Sequence, residues 1–111
     1  MIIETIQAAN ATVVRVSGRM DAENAESFES ACSEAIRTGT PQLIADLTEL
    51  EYVSSMGLRS ILAVAKTAQS KGGALSLCGL KGLPKQVFEM TRLMPLFPVF
   101  DNREAALQSM A

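Results

Sequence analysis

The sequence predicts an α/β protein with a mixed β-sheet of about five strands and about four helices packed on it. Short runs rich in β-branched residues alternate along the chain with segments whose apolar residues recur at helical spacing. The resulting order is β-β-α-β-α-β-α-β-α. Strands separated by helices favour parallel neighbours with right-handed crossovers. The first two strands follow each other directly and are expected to form an antiparallel hairpin.

Residues 2–6 and 12–17 are predicted to form this hairpin. The first is a short apolar stretch suited to a sheet edge, and the second, Thr-Val-Val-Arg-Val-Ser, is rich in β-branched residues. Asn10 lies between them at the expected turn. Gly18 is expected to end the second strand.

A long helix is predicted over residues 21–38. Its apolar or small residues recur at the spacing of one helix face, and they are Ala25, Phe28, Cys32, Ala35 and Ile36. Either Asp21 or Asn24 can cap its start, because both side chains accept hydrogen bonds from free backbone N–H groups. Gly39 and Pro41 are expected to end it.

The middle of the chain is predicted to hold a buried strand over residues 42–47, a loop over 49–53 and a second helix. The helix is indicated by a stripe of apolar and small residues, namely Leu58, Ile61, Leu62, Ala65 and Ala68. Gly72 and Gly73 are expected to stop it. Residues 74–78 form the next predicted strand.

Three short elements are predicted to complete the fold. A third helix is expected from about residue 84 to residue 90, with Pro84 suited to a first helical turn. Residues 97–100, interrupted by Pro98, predict a short edge strand. Residues 103–110 predict a small amphipathic helix.

Length and composition indicate a single globular domain over residues 1–111. Of these 111 residues, 48% are hydrophobic and 20% are charged, with a formal net charge of −2. A chain of this size buries enough surface to fold without a metal or a disulfide. No cluster of lysines and arginines marks a nucleic-acid surface, and no apolar run approaches the length of a membrane span.

The sequence contains no histidine, which excludes Ser-His-Asp and Cys-His nucleophile systems and histidine-ligated metal sites. No catalytic residue, metal ion or cofactor is expected. Cys32 and Cys78 are too few for a disulfide framework and are predicted to be reduced core residues of a cytoplasmic protein. The first residues lack the basic and long apolar regions of a secretory signal.

The most unusual segment is residues 46–59, in which a predicted strand leads through an acidic loop to Ser-Ser-Met-Gly at the start of a helix. Ser54 or Ser55 is expected near the N-cap position, and capping alone would explain a serine there. Gly57 is a poor helix former in a first helical turn. A close approach of another chain is one expected reason for this glycine.

Four segments resemble those of a STAS domain of the stand-alone anti-sigma factor antagonist type, and they cover nearly the whole chain. The most specific part is residues 43–48 followed by 52–59, which resembles the family's signature strand, loop and helix start. Residues 14–21 resemble its second strand, which ends in Gly-x-hydrophobic-Asp. Residues 74–80 and positions between 88 and 107 resemble its fourth strand and closing segment. The resemblance implies a STAS-type mixed sheet.

In that family a serine of the signature loop is phosphorylated by a partner that is both an anti-sigma factor and a serine kinase. Matching the Gly-Leu pair at residues 57–58 to the family's Gly-Leu puts this serine at Ser55. Ser54, which stands where the family often has aspartate, is the alternative. The expected partner-binding surface comprises Asp21, Ser54, Ser55, Met56, Gly57 and Arg59. The resemblance implies that Asp21 lies beside the serine loop. Met56 is expected to be an exposed, adaptable apolar contact, and Arg59 is expected either to be solvated or to contact the partner.

On this interpretation the chain is a kinase substrate rather than an enzyme, and its unphosphorylated form binds the anti-sigma factor and releases that protein's target. A PP2C-like serine phosphatase is expected to reset it. The free protein is expected to be a monomer.

Two questions stay open at this point. Asp21 can cap the first helix or belong to the partner surface, and both roles can hold together. The alternative function is a soluble STAS subunit of a larger transport or stress-signalling assembly that phosphorylation does not switch. A small enzyme or nucleotide-binding protein is disfavoured, because histidine and a glycine-rich phosphate loop are both absent.

Overall fold

One mixed sheet, with its strands in chain order, forms the centre of the computed structural model, which describes residues 1–110. The strands are β1 (Ile2–Gln7), β2 (Thr12–Met20), β3 (Gln42–Val53), β4 (Ala74–Cys78) and β5 (Val99–Phe100). β1 is antiparallel to β2, and the other neighbouring strands are parallel. The predicted α/β class, element order and antiparallel hairpin are confirmed.

Helices cover both faces of the sheet. They are α1 (Ala22–Thr38), α2 (Ser55–Ser70), α3 (Gly82–Met90) and α4 (Arg103–Gln108), and a 3₁₀ turn (Met94–Leu96) precedes β5. Because side chains alternate along a strand, Val14 faces the main core with Phe28 and Phe88, while Val13 packs with Ala106 of α4 on the opposite face. Within residues 1–110 no helix is long and apolar enough to cross a bilayer.

β2 is longer than predicted. It continues through Gly18, at φ +95°, and the register of its pairing with β3 shifts between Arg15 and Ser17 and again between Gly18 and Arg19. The expectation that Gly18 ends the strand was therefore wrong. A glycine adopts this φ without the steric cost that other residues meet, so the strand bends there and continues.

β3 is also longer than predicted, because the loop expected over residues 49–53 is the second half of this strand. Leu50 and Val53 are buried, whereas Glu49 and Glu51 are exposed. The two acidic side chains lie on the solvent side of a strand, and their charge alone gave the appearance of a loop. The longer strand carries the chain directly to the start of α2.

The start of α1 shows which residue caps it. Asp21 has extended backbone geometry, and its Oδ1 accepts a hydrogen bond from the backbone N–H of Asn24 at 3.1 Å. Asn24 instead donates its side-chain amide to the carbonyl oxygen of Arg19 at 3.0 Å. The capping role proposed for Asp21 is confirmed, and Asn24 anchors the end of β2.

The last elements follow the prediction with small shifts. α3 begins at Gly82, two residues before the expected start, with Pro84 in its first turn. The predicted strand over 97–100 contracts to its last two residues. Cys32 and Cys78 are buried free thiols, as expected for core residues, and burial raises the pKa of each to about 12.

Candidate functional site

The ends of two parallel strands bring two helix N-termini together. Met20 and Val53 are paired at the ends of β2 and β3, and the backbone N–H of Ser54 donates to the carbonyl oxygen of Met20 at 2.9 Å. Asp21, which follows Met20, and Ser54, which follows Val53, are therefore adjacent. Both side chains cap the helices that start there, so α1 and α2 present their free N–H groups at one end of the sheet.

The two neighbouring serines have different structural roles. Ser54 is the N-cap of α2, and its Oγ accepts a hydrogen bond from the backbone N–H of Gly57 at 3.1 Å. Ser55 is the first residue of the helix and is exposed. Among residues 1–110 the Ser55 hydroxyl has no hydrogen-bond partner. One serine is therefore used by the fold, and its neighbour is open to solvent.

Gly57 lets α2 lie close to the ends of the strands. A Cβ atom at this position would lie 2.8 Å from the Met20 carbonyl oxygen and 2.8 Å from Val53 Cγ2. Contacts this short do not occur for real side chains. The close approach expected for Gly57 therefore exists, but the neighbour is β2 and β3 of the same chain. Gly57 is itself buried.

Apolar and charged side chains surround the exposed serine. Met56 is 43% exposed, as expected, and Arg59 lies on the exposed side of the helix one turn after Ser55. On the last part of the strands, the guanidinium of Arg19 lies 4.2 Å from the ring centroid of Tyr52. This cation–π contact is a feature that sequence reasoning missed, because it depends on the irregular register of β2 and β3.

A hydrogen bond behind the site joins its two helices. The buried hydroxyl of Ser60 on α2 donates to Oε1 of Glu29 on α1 at 2.7 Å. Sequence reasoning did not find this pair, since neither residue interrupts its helical pattern. The sequence offered one signal for this pair, which is a serine on the otherwise apolar stripe of α2, three residues after Gly57. The bond holds the first two turns of α2 against α1.

A second polar cluster lies on the α4 face of the sheet. The buried carboxylate of Asp46 accepts hydrogen bonds from Arg103 Nε at 3.0 Å and Nη2 at 2.9 Å. Its other oxygen accepts from the hydroxyl and the backbone N–H of Thr48, at 2.6 and 3.1 Å. Burial by itself would raise the pKa of Asp46, but the hydrogen bonds from Thr48 and Arg103 outweigh it and lower the pKa.

This second cluster fixes α4 on the sheet. Gly79 belongs to it as well, because a Cβ there would lie 2.1 Å from Thr48 Oγ1. Sequence reasoning treated Asp46 as the end of a buried strand and did not pair it with Arg103, which is 57 residues away in the chain. No group of three or more potential metal-ligating side chains occurs in the described part of the chain.

A family model of the STAS domain matches residues 2–106. This chain belongs to the STAS domain family. It is 38% identical over 91 residues to BtrV, a Bordetella bronchiseptica protein named as a candidate anti-sigma factor antagonist, and the alignment covers 82% of this chain and 78% of that protein. The family resemblance found in the sequence is thereby confirmed.

Solved structures show the same STAS fold. A crystal structure of a candidate anti-sigma factor antagonist from Thermotoga maritima matches with a TM-score of 0.89 at 19% identity, over 97% of this chain and 93% of that one. The Bacillus cell fate determinant SpoIIAA in its phosphorylated form matches with a TM-score of 0.78 at 18% identity, over 99% and 100% of the two chains. At these identities the likeness is evidence for the fold alone.

In this STAS domain the residues proposed for the partner surface lie at one end of the molecule. Asp21, Ser54 and Ser55 meet where β2 and β3 end, and Met56 and Arg59 extend the same region along α2. Gly57 lies beneath them rather than at the surface. Their roles in phosphorylation and partner binding stay predictions.

Proposed function

We propose that this STAS domain is an anti-sigma factor antagonist whose binding is switched by phosphorylation of Ser55. In its unphosphorylated form it binds an anti-sigma factor that is also a serine kinase, and so frees the protein that this partner holds. Phosphorylation ends the binding, and a PP2C-like serine phosphatase restores it. The relatives named as anti-sigma factor antagonists support this class of function.

The single observation that carries the proposal is the different use of the two serines. The Ser54 hydroxyl accepts the capping hydrogen bond of α2, whereas the Ser55 hydroxyl is exposed and unpaired within residues 1–110. A kinase must reach a free hydroxyl and place it in line with a phosphate donor. Ser55 meets this requirement without disturbing the helix, which favours it over Ser54 as the acceptor.

The position of Ser55 also suits a phosphorylated state. The first N–H groups of α2 are free or only capped by a side chain, and the positive end of the helix dipole lies there. A phosphate adds about −1.5 to −2 charges and three acceptor oxygens. Because such a charge is tolerated at a helix N-terminus, we expect the domain to remain folded after modification.

The same charge would disrupt a bound partner. Met56 and Arg59 provide an apolar and a cationic side chain next to Ser55 on α2, while Asp21 caps the neighbouring helix and Glu49 and Glu51 are exposed on the last part of β3. A partner surface that fits the neutral hydroxyl would have to desolvate the phosphate among these carboxylates. A penalty of about 3 kcal/mol would lower the affinity about a hundred-fold.

Gly57 acts on this surface indirectly in the proposed mechanism. Its lack of a side chain lets α2 approach Met20 and Val53, and this approach holds the start of α2, where Ser55 lies, against the ends of β2 and β3. The domain then acts as a binding protein and a kinase substrate rather than as an enzyme, and this function requires no cofactor.

The test begins with intact-mass and phosphopeptide mapping of the protein isolated from its own cells. One phosphate at partial occupancy on Ser55 is the expected result. Proteins captured by immobilised S55A are expected to include a serine kinase, which then phosphorylates the wild-type chain and S54A but not S55A. S55D is expected to bind this kinase about a hundred-fold more weakly than S55A does.

Two outcomes would contradict the proposal. Phosphate confined to Ser54 would show that the capping serine is the acceptor. Equal binding of the kinase to phosphorylated and unphosphorylated protein would show that phosphorylation does not switch the complex, and it would favour a constitutive STAS subunit of a larger assembly.

A further inference from the structure

The outer edge of β1 is an unprotected sheet edge. β1 lies at the end of the strand order and pairs on one side with β2, in an unbroken register. Its six residues, Ile-Ile-Glu-Thr-Ile-Gln, include no proline, lysine or bulge, which are among the devices that prevent an edge from pairing with another chain, and the one charged side chain, Glu4, is paired with Arg15 of β2. The backbone N–H and C=O groups along the other side of β1 are therefore available to a further strand.

The exposed face of β1 is apolar at both ends. Ile2 is 63% exposed and Ile6 is 37% exposed, and both lie on the same face as Glu4, since alternate residues of a strand share a face. Ile3, on the opposite face, packs against the main core. On the face of the sheet that carries Glu4, α4 packs against β3, β4 and β5. Ile2 and Ile6 lie on this same face of β1 and remain exposed.

We propose that β1 pairs antiparallel with β1 of a second copy of this chain, so that two sheets join into one. Within β1 the order of the exposed residues, Ile2, Glu4 and Ile6, is symmetric about Glu4. A two-fold axis that is perpendicular to the sheet and passes midway between the two Glu4 residues sets Ile2 of each copy opposite Ile6 of the other. The strand is thus complementary to itself in backbone direction and in side-chain pattern, which favours a second copy over an unrelated peptide.

The charges are compatible with this register. Two glutamates opposite each other would repel, but the carboxylate of Glu4 forms an ion pair with Arg15 on the adjacent β2. Across the joined sheet the row of side chains would read Arg15, Glu4, Glu4 and Arg15. Each carboxylate keeps its own cation, and the two isoleucine pairs lie on either side of this row.

The pairing would leave both candidate sites accessible. β2 ends at Met20, beside the site, and antiparallel pairing of the two β1 strands makes the two β2 strands run in opposite directions. The two sites then lie at opposite ends of the joined sheet. This arrangement replaces the monomer expected from the sequence, and it does not depend on the proposed function.

Sedimentation of the full chain at protein concentrations from about 10 µM to about 1 mM tests the proposal, since a small interface of this kind is expected to be weak. We expect a reversible monomer–dimer equilibrium in the wild type. The double variant I2K/I6K should weaken it at least about tenfold, because lysines guard an edge. M90K, which changes an exposed methionine on α3, is the matched control and should dimerise like the wild type.

Cross-linking tests the register. Residues opposite each other have Cβ atoms about 4.5–5.5 Å apart, which is close to disulfide distance. Under mild oxidation E4C should therefore cross-link at least about tenfold faster than Q86C, an exposed control on α3. The native cysteines are buried and do not compete. A chain that stays monomeric at about 1 mM, or a dimer that I2K/I6K leaves unchanged, would overturn the proposal.

Discussion

Replacing Ser54 with alanine is expected to destabilise the domain, whereas replacing Ser55 is expected to leave its stability nearly unchanged. The Ser54 Oγ accepts the 3.1 Å hydrogen bond from Gly57 N–H, and loss of an N-cap of this kind costs about 1 kcal/mol. For a domain of this size that cost lowers Tm by about 4 °C. Ser55 forms no such bond, so S55A should change the unfolding free energy by less than about 0.5 kcal/mol.

Urea unfolding of the four proteins wild type, S54A, S55A and S54D measures the difference. S54D is the matched control, because an aspartate caps a helix as well as a serine does and should restore the wild-type midpoint. Phosphorylation should show the opposite pattern, with S54A accepted by the kinase and S55A not. If S55A lost as much stability as S54A, or if S54D failed to recover it, the division of roles between the two serines would be refuted.

Three further results are expected. R103M should lower the unfolding free energy by about 2–3 kcal/mol, because it leaves the buried Asp46 carboxylate without its ion-pair partner. The control R37M breaks the exposed pair with Glu34 and should leave the unfolding free energy nearly unchanged, so equal losses in urea unfolding would contradict the burial argument. In acid titrations, the difference in unfolding free energy between wild type and D46N should be complete above about pH 4 and should decrease as the pH falls further, because hydrogen bonds lower the folded-state pKa of Asp46 below its unfolded-state pKa. A difference that increased on acidification would contradict this direction of the pKa shift. G57A should lower the unfolding free energy by about 1–2 kcal/mol, because the cost of overpacking at the 2.8 Å contacts exceeds the gain in helix propensity from alanine. A G57A protein more stable than wild type in urea unfolding would show that α2 is not packed closely against the ends of β2 and β3.

The sequence predicted the order and type of the elements well because each element carries its own periodic pattern. The errors fall where two irregular strands support each other. Gly18 breaks the local pattern of β2, and Glu49 and Glu51 make the second half of β3 look like a loop. The alternation of acidic and apolar residues around Leu50 was a strand signal. The two charges outweighed it, since the buried residues Leu47, Leu50 and Val53 do not keep the strict period of two that would have supported a strand, and the register of β2 against β3 shifts in this region.

The candidate site was predictable where a short motif carries it. Asp21 and the pair Ser54 and Ser55 precede helical patterns, so a cap at Asp21 and at one of the two serines follows from local chemistry, and the structure shows that the second cap is Ser54. The contacts Glu29–Ser60 and Arg103–Asp46 did not follow, because they join residues 31 and 57 positions apart. A single sequence contains no signal for such pairs until the strand order and the helix faces are known.

The contacts around the start of α2 argue that a phosphate on Ser55 would act directly on a partner rather than by moving the loop. Three constraints hold this turn, namely the hydrogen bond from Ser54 N–H to the Met20 carbonyl, the close packing of Gly57 and the Glu29–Ser60 bond between the helices. None of them involves the Ser55 side chain. A new charge on that side chain therefore changes the surface that a partner meets while the backbone beneath it keeps its contacts, and a switch of this kind needs no second conformation of the domain.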